Sequence, residues 1–347
     1  MRNQFSTQRA SCWGWLVICA VLLAVPMTVR AAKRKTDQAQ AQPAQAVANV
    51  QTPAQLSQVP TDVHTPTIHL NVNEVELIFT VTDKHGHYIP NLKLSDFALL
   101  DDRRAPQRVT SFHQQINLPL RVGLLIDTST SIRSRFKFEQ QAAIEFLLQI
   151  LKPRSDRAFV MGFDVTPRVT ANWTNDLDAL ETGVNELAPG GGTALYDAVY
   201  TACRYQMLPE SRGQEPVRKA LILISDGNDN QSRVYLSEAI QECERAGTII
   251  YAVSTNWTPS RGPGDKVMTE LADNTGGEAF FPSLVDDMSK SFTSIEMELR
   301  SQYALTYTPA DFKYDGSFHS IYLYCFDRRY RVRVQKGYFA PRAEGAN

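Results

Sequence analysis

Two carboxylates and three hydroxyls, scattered over the middle of this chain, are the side chains best placed to do chemistry. Asp127, Ser129 and Ser131 stand in the string Asp-Thr-Ser-Thr-Ser, Thr193 follows the glycines at 190–192, and Asp226 precedes Gly227. All five are hard oxygen donors. Such a set suits Mg²⁺, Mn²⁺ or Ca²⁺ and suits zinc or copper poorly, because those ions favour His and Cys. Covalent and acid–base chemistry is harder to build here. The six histidines are His64, His69, His85, His87, His113 and His319. None lies in the expected α/β core, so a Ser–His–Asp arrangement there lacks its base, and no G-x-S-x-G string surrounds Ser129 or Ser131. Gly190–Thr193 also lacks the G-x-x-x-x-G-K-[ST] pattern of a phosphate loop. An aspartyl phosphotransferase would want a second carboxylate two residues after Asp127, where Ser129 stands instead.

Each piece also has an ordinary explanation. Asp and Thr commonly cap helices, and His85 and His87 flank a glycine in what reads as a solvated turn. Arg133, Arg135 and Lys137 read as a solvated helix start that could steer an acidic partner. Capping, however, does not predict that all three pieces occur together, each where an apolar strand runs out or a helix opens.

The elements that must position these residues follow from periodicity. Residues 119–126 and 220–225 are apolar runs ending on Asp127 and on Ser225-Asp226-Gly227. Around them strands at 157–163, 165–172, 248–254 and 278–281 alternate with helices at 136–151, 176–187, 193–206, 236–246, 266–274 and 285–301. That alternation predicts an α/β fold, a doubly wound, mostly parallel, Rossmann-like sheet over 119–302, with 165–172 an antiparallel neighbour. Ligands gather beyond the carboxyl ends of such strands at the topological switch point. Strand patterns of period two lead in at 67–118, with Val75, Leu77, Phe79 and Val81 on one face, and follow at 303–341. Neither group suffices for a stable sheet alone, so the two are expected to pair into a small β-sandwich.

These residues resemble the von Willebrand factor A (VWA) family, whose metal-ion-dependent adhesion site is D-x-S-x-S, a distant Thr and a distant Asp. By that resemblance Ser129, Ser131 and Thr193 would hold the metal directly, and Asp127 and Asp226 would hold its waters or enter its shell. An open position would take an Asp or Glu of a protein partner. The layout is also similar to a VWFA-related family described from acidobacteria. The shared features are Val81-Thr82-Asp83-Lys84, Leu94-Ser95-Asp96-Phe97, Gln302-Tyr303, Tyr307-Thr308-Pro309 and Lys336-Gly337-Tyr338.

The ends and the composition bound the rest. Arg2 and Arg9, an apolar run from Cys12 to Val25 and Val29-Arg30-Ala31 read as a secretory signal over 1–31, too short to span a bilayer. The basic run Lys33–Lys35 opposes export and leaves an uncleaved membrane anchor as the alternative. Residues 32–66, rich in Gln, Ala and Pro, cannot bury enough apolar surface to order and read as a disordered linker. A net charge of −1 gives no basis for nucleic-acid binding. Cys203, Cys243 and Cys325 all lie on apolar faces and read as buried thiols, with a Cys203–Cys243 bridge left open.

The expected protein is an exported, non-catalytic adhesion or scaffold module of periplasm, cell envelope or exterior. It would bind an acidic partner group through Mg²⁺ (or Mn²⁺ or Ca²⁺). The alternatives are a metal-dependent hydrolase using the same ion and a structural envelope protein with a vestigial site.

Overall fold

Alternating apolar and polar side chains over Val75–Thr82 form β1, with Val75, Leu77, Phe79 and Val81 turned inward and at most 8% exposed. The computed structural model describes residues 73–116, 118–210, 217–256, 260–283 and 285–342, all within one compact unit. The expected export signal at 1–31 and the linker at 32–66 lie outside the described residues. Two more strands, β2 (Phe97–Asp101) and β3 (Arg108–Ile116), precede the central region.

There the apolar runs become strands buried on both faces, as parallel sheets covered by helices require. They are β4 (Leu120–Asp127), β5 (Arg157–Phe163), β6 (Pro167–Thr174), β7 (Arg218–Ser225), β8 (Thr248–Ser254) and β9 (Ala279–Phe280). Their spatial order is β6-β5-β4-β7-β8-β9, parallel except for β6, so the connections reverse direction between β4 and β7. One face carries α1 (Phe136–Ile150), α2 (Leu177–Asn185) and, later in the chain, a helix at Val285–Arg300. The other carries α3 (Leu195–Thr201), α5 (Leu236–Arg245) and α6 (Pro263–Thr275). Between α3 and α5, a π-helical stretch (Ala202–Met207) leads into the short α4 (Leu208–Glu210). The Val285–Arg300 helix is α7.

Helix α7 runs without a loop into β10 (Ser301–Thr308), followed by β11 (Phe318–Cys325), β12 (Arg331–Val334) and β13 (Gly337–Phe339). The terminal strands form two antiparallel sheets, ordered β12-β1-β10-β3 and β13-β11-β2. Phe79, Tyr303 and Leu305 from one sheet share a core with Phe97, Leu99, Ile321 and Leu323 from the other. Arg333 of β12 reaches into the α/β part, where it bridges Glu278 and Glu298; within that part Arg218 of β7 donates to the Leu299 carbonyl and Arg300, at the end of α7, pairs with Asp156.

Three expectations need correction. The helix expected over 193–206 starts at Leu195, which leaves Thr193 in the preceding loop, and it changes to π geometry at Ala202. Helix α6 begins at Pro263 rather than 266, because proline at a first helical position needs no N–H partner. Finally, Cys203 and Cys243 are joined in a disulfide. Their two apolar helix faces pack on each other in one core, which brings the sulfurs together; Cys325 alone is a buried thiol.

Candidate metal site

Strand β4 delivers Asp127 to its carboxyl end with no exposed surface. Asp127 Oδ1 accepts the Ser129 backbone N–H at 2.8 Å, which folds the chain back at once into a short 3₁₀ turn over Thr130–Ile132. The Ser129 and Ser131 hydroxyl oxygens then lie 2.9 Å apart. Ser129 is buried and Ser131 exposed, so the pair faces outward from the end of the sheet.

The glycine loop is sewn to this turn. Gly190 N–H donates to Thr128 O at 2.6 Å, and Gly191 O accepts from both the N–H and the hydroxyl of Thr130, at 3.2 and 2.8 Å. Gly191 has φ of 74°, a left-handed backbone that a side chain resists, and an added Cβ would meet Val165 at 2.9 Å. The loop ends on Thr193, whose N–H donates to Asn230 Oδ1 at 2.9 Å and whose carbonyl accepts from the N–H groups of Asn230 and Gln231.

Asn230 belongs to the loop after β7, which closes the ring. Ser225, the last residue of β7, donates its hydroxyl to Asp127 Oδ2 at 2.6 Å. The next residue, half-buried Asp226, accepts the Asn228 N–H at 3.0 Å. Gly227, at φ of 78°, sits so close to Gly264 that a Cβ would stand 2.2 Å from the Gly264 carbonyl oxygen, so the start of α6 backs this loop. All five sequence-selected residues thus lie on three loops tied to one another at the switch point. The capping explanation is not realised: the cap positions of α1 and α3 are Arg135 and Ala194, neither making a side-chain cap hydrogen bond.

The electrostatics favour a cation. Burial pushes the Asp127 carboxyl up to about 6, and the neighbouring Asp226 charge adds to it, against the hydrogen bonds from Ser225 and Ser129. Glu139, in the first turn of α1 and fully buried, is pushed up to about 8, chiefly by burial, with Asp127 and Asp226 adding to the shift and Arg135 opposing it. Neither Glu139 oxygen has a hydrogen-bond partner among the described residues. Hydroxyls for direct contact and carboxylates for charge fit a hard divalent ion.

Sequence reasoning missed Ser225, Asn230 and Glu139. The first two had no readable signal, since a strand-end Ser and a loop Asn are commonplace. Glu139 did have one: it falls four residues before Ala143 and seven before Phe146, on the apolar stripe of its helix.

A second group of candidate ligands, Asp101, Asp102 and His319, lies in the β-sandwich, with ligand atoms within 4.8 Å of one another. Its capacity is already taken. Tyr307 and Tyr338 donate to Asp101 Oδ2 at 2.7 and 3.0 Å, and Ser320 donates its N–H and hydroxyl to Asp102. His319 lies 2.9 Å from Asp102 and stacks on Tyr338.

Comparison with known proteins agrees with the fold. The UPF0353 proteins of Mycolicibacterium gilvum and Mycolicibacterium vanbaalenii are each 26% identical over 205 residues, 51% of this chain, which spans 60% of the length of those curated relatives. Among solved structures, the conserved hypothetical protein BatB from Bacteroides thetaiotaomicron is similar at a TM-score of 0.42 and 16% identity, over 52% of this chain and 98% of that one. Proximal thread matrix protein 1 from the mussel byssus gives 0.46 and 17%, over 56% and 50%, and has also been solved with a zinc-occupied MIDAS motif. A von Willebrand factor type A protein from Catenulispora acidiphila gives 0.44 and 14%, over 74% and 76%. The family model of the von Willebrand factor type A domain matches residues 122–297, which is just over half of the sequence and takes in β4 to α7. The chain belongs to the von Willebrand factor type A domain family.

Proposed function

We propose that the protein is an exported, non-catalytic binding module that grips an acidic group of a protein partner through one divalent cation. Domains of this family typically mediate protein–protein interactions and are mostly non-catalytic, and their adhesion sites bind divalent metal ions. In this reading Ser129, Ser131 and Thr193 offer hydroxyl oxygens to the ion, while Asp127 and Asp226 hold its waters or join its shell. When bound, the cation supplies a positive charge with an exchangeable position, which an Asp or Glu of the partner fills. Mg²⁺ suits the donors best, with Mn²⁺ and Ca²⁺ as related choices.

One observation carries the reading: three loops, hydrogen-bonded in a closed ring, surround a buried Asp127 whose charge is under-compensated. The export element rests on the 1–31 signal pattern and on the Cys203–Cys243 disulfide, a bond that persists mainly in oxidising compartments. No helix among the described residues is long and apolar enough to cross a membrane. The proposed layout is signal 1–31, linker 32–66, a VWA domain at 119–302 and one β unit formed by 67–118 with 303–341.

Titration calorimetry with Mg²⁺ and Mn²⁺ tests the site. The wild type should bind one ion weakly, and Asp127→Ala should lower the affinity about a hundredfold, because charge and the anchor for ion-bound water go together. Identical traces for the two proteins would end the adhesion-site reading. A partner captured from envelope extract should be released by EDTA and regained with Mg²⁺.

A further inference from the structure

Two buried acids elsewhere in this protein are matched by donors. Asp156, 1% exposed, accepts from the Leu120 and Lys152 N–H groups, the Ser155 hydroxyl and Arg300. Asp265, 3% exposed, accepts from Ser254, Asn256 and Gly262. Glu139 differs from both: it has no exposed surface, and neither oxygen is partnered among the described residues. Protonation does not relieve it, since a neutral carboxyl would bring an O–H donor to the same unpartnered setting. A buried carboxyl in either state needs a partner, and the described residues supply none.

Its position says what that partner is. Glu139 sits in the first turn of α1, which follows directly from the turn bearing Ser129 and Ser131. The charged groups that act on it are Arg135 on its own helix, Asp127 at the end of β4 and Asp226 in the loop after β7. Two of these three are carboxylates of the metal site, drawn from two different strands. We propose that Glu139 is a third carboxylate of the cation site, whose unpartnered oxygens accept hydrogen bonds from water bound to the ion. The inference rests on reading those loops as a cation site, and extends it into the helix behind them. Without the ion, burial, with the Asp127 and Asp226 charges adding to it, favours the protonated form of Glu139 at neutral pH. The arriving dication favours the ionised form, so the carboxyl O–H bond breaks and its proton passes to solvent while the electron pair stays on Glu139. The residue therefore positions ion-bound water and supplies the third negative charge.

The test is calorimetric titration of the full chain with MgCl₂ at pH 7, in two buffers of different ionisation enthalpy, alongside thermal melts without metal. Wild type should release roughly one proton per ion bound. Glu139→Gln should bind about tenfold more weakly, release almost no proton, and melt without metal at the same or a higher temperature, because Gln is buried neutral without taking up a proton on folding. Affinity and proton count equal to wild type in that variant would overturn the inference and leave the cation site standing. A wild-type proton count of zero would overturn it too, even if the variant failed to fold. Absence of any Mg²⁺ or Mn²⁺ binding by the wild type would remove both readings.

Discussion

The β-sandwich and the rim of the α/β sheet hold their acid groups in different ways. In the β-sandwich, buried Asp101 is held by two tyrosine hydroxyls; for its exposed neighbour Asp102, the small cost of burial is outweighed by hydrogen bonds from Ser320 and the charge of His319, which leaves its carboxyl below the usual range. At the rim of the α/β sheet, Asp127 and Glu139 are pushed up by burial, and Glu139 has no hydrogen-bond partner among the described residues. Three acids or histidines that lie together are therefore not the mark of a metal site here. The sandwich cluster has spent its lone pairs on the protein; at the rim Asp127 accepts from Ser129 and Ser225, and Glu139 accepts from nothing among the described residues. Donor type brings both to notice, and hydrogen-bond accounting separates them.

Three measurements put this contrast at risk. The largest effect should come from the covalent tie inside the α/β half. Replacing Cys203 and Cys243 with Ala frees a loop of separation 40 and should cost about 4 kcal/mol of unfolding free energy, measured by denaturant titration, on the chain-entropy account. Because the bridge joins the helices behind the sheet rather than the loops, Mg²⁺ affinity should persist below the unfolding transition. Loss of affinity in the folded double variant would show that the rim depends on it.

Next, Asp101→Ala strands the hydroxyls of Tyr307 and Tyr338 in the sandwich and should cost about 3 kcal/mol, with divalent-ion affinity unchanged. A fall in Mg²⁺ or Mn²⁺ affinity in that variant would mean that the satisfied cluster takes part in ion binding, and the contrast would fail.

The smallest effect is a pH dependence of stability in chelator. Folded Glu139 keeps its proton up to about 8, whereas unfolded it gives the proton up near 4.5. Between those values the folded state binds more protons, so stability is greatest below 4.5 and falls as pH rises towards 8. The drop attributable to this residue should be on the order of 2 kcal/mol, less than the full shift would give, because water entering the rim softens the burial. Subtracting a Glu139→Gln pH series from the wild-type series isolates it, and parallel curves would show that Glu139 does not titrate in this window.

Much of the architecture was legible because burial leaves plain patterns. Runs such as Leu221–Ile224 can only be strands covered on both faces, and Val75, Leu77, Phe79 and Val81 announce a half-buried one. The five donor positions were visible for a related reason: each follows an apolar run or a glycine turn, where the sheet ends. What escaped notice depends on meetings between distant elements. Ser225 matters because β7 lies beside β4, so that its hydroxyl reaches Asp127 across 98 residues. The partnership of Cys203 with Cys243 depends on how α3 and α5 pack, and β13 is only three residues long, too short for periodicity to reveal.

The loop-free passage from α7 into β10 has a mechanical consequence. Strand β1 lies between β10 and β12, and its start at Val75 pairs with Tyr307 near the end of β10, while Phe79 pairs with Tyr303 near the beginning. A pull entering the chain ahead of β1, resisted by a partner gripped at the far rim, reaches β10 through α7. The two strands are then drawn along their length in opposite directions, by ends that lie at opposite edges of the sheet. Load applied this way falls on the whole ladder from Val75 to Phe79 together, rather than on one rung at a time as in peeling. The sandwich is thus a shear joint, set between whatever lies upstream and the loops that would do the holding.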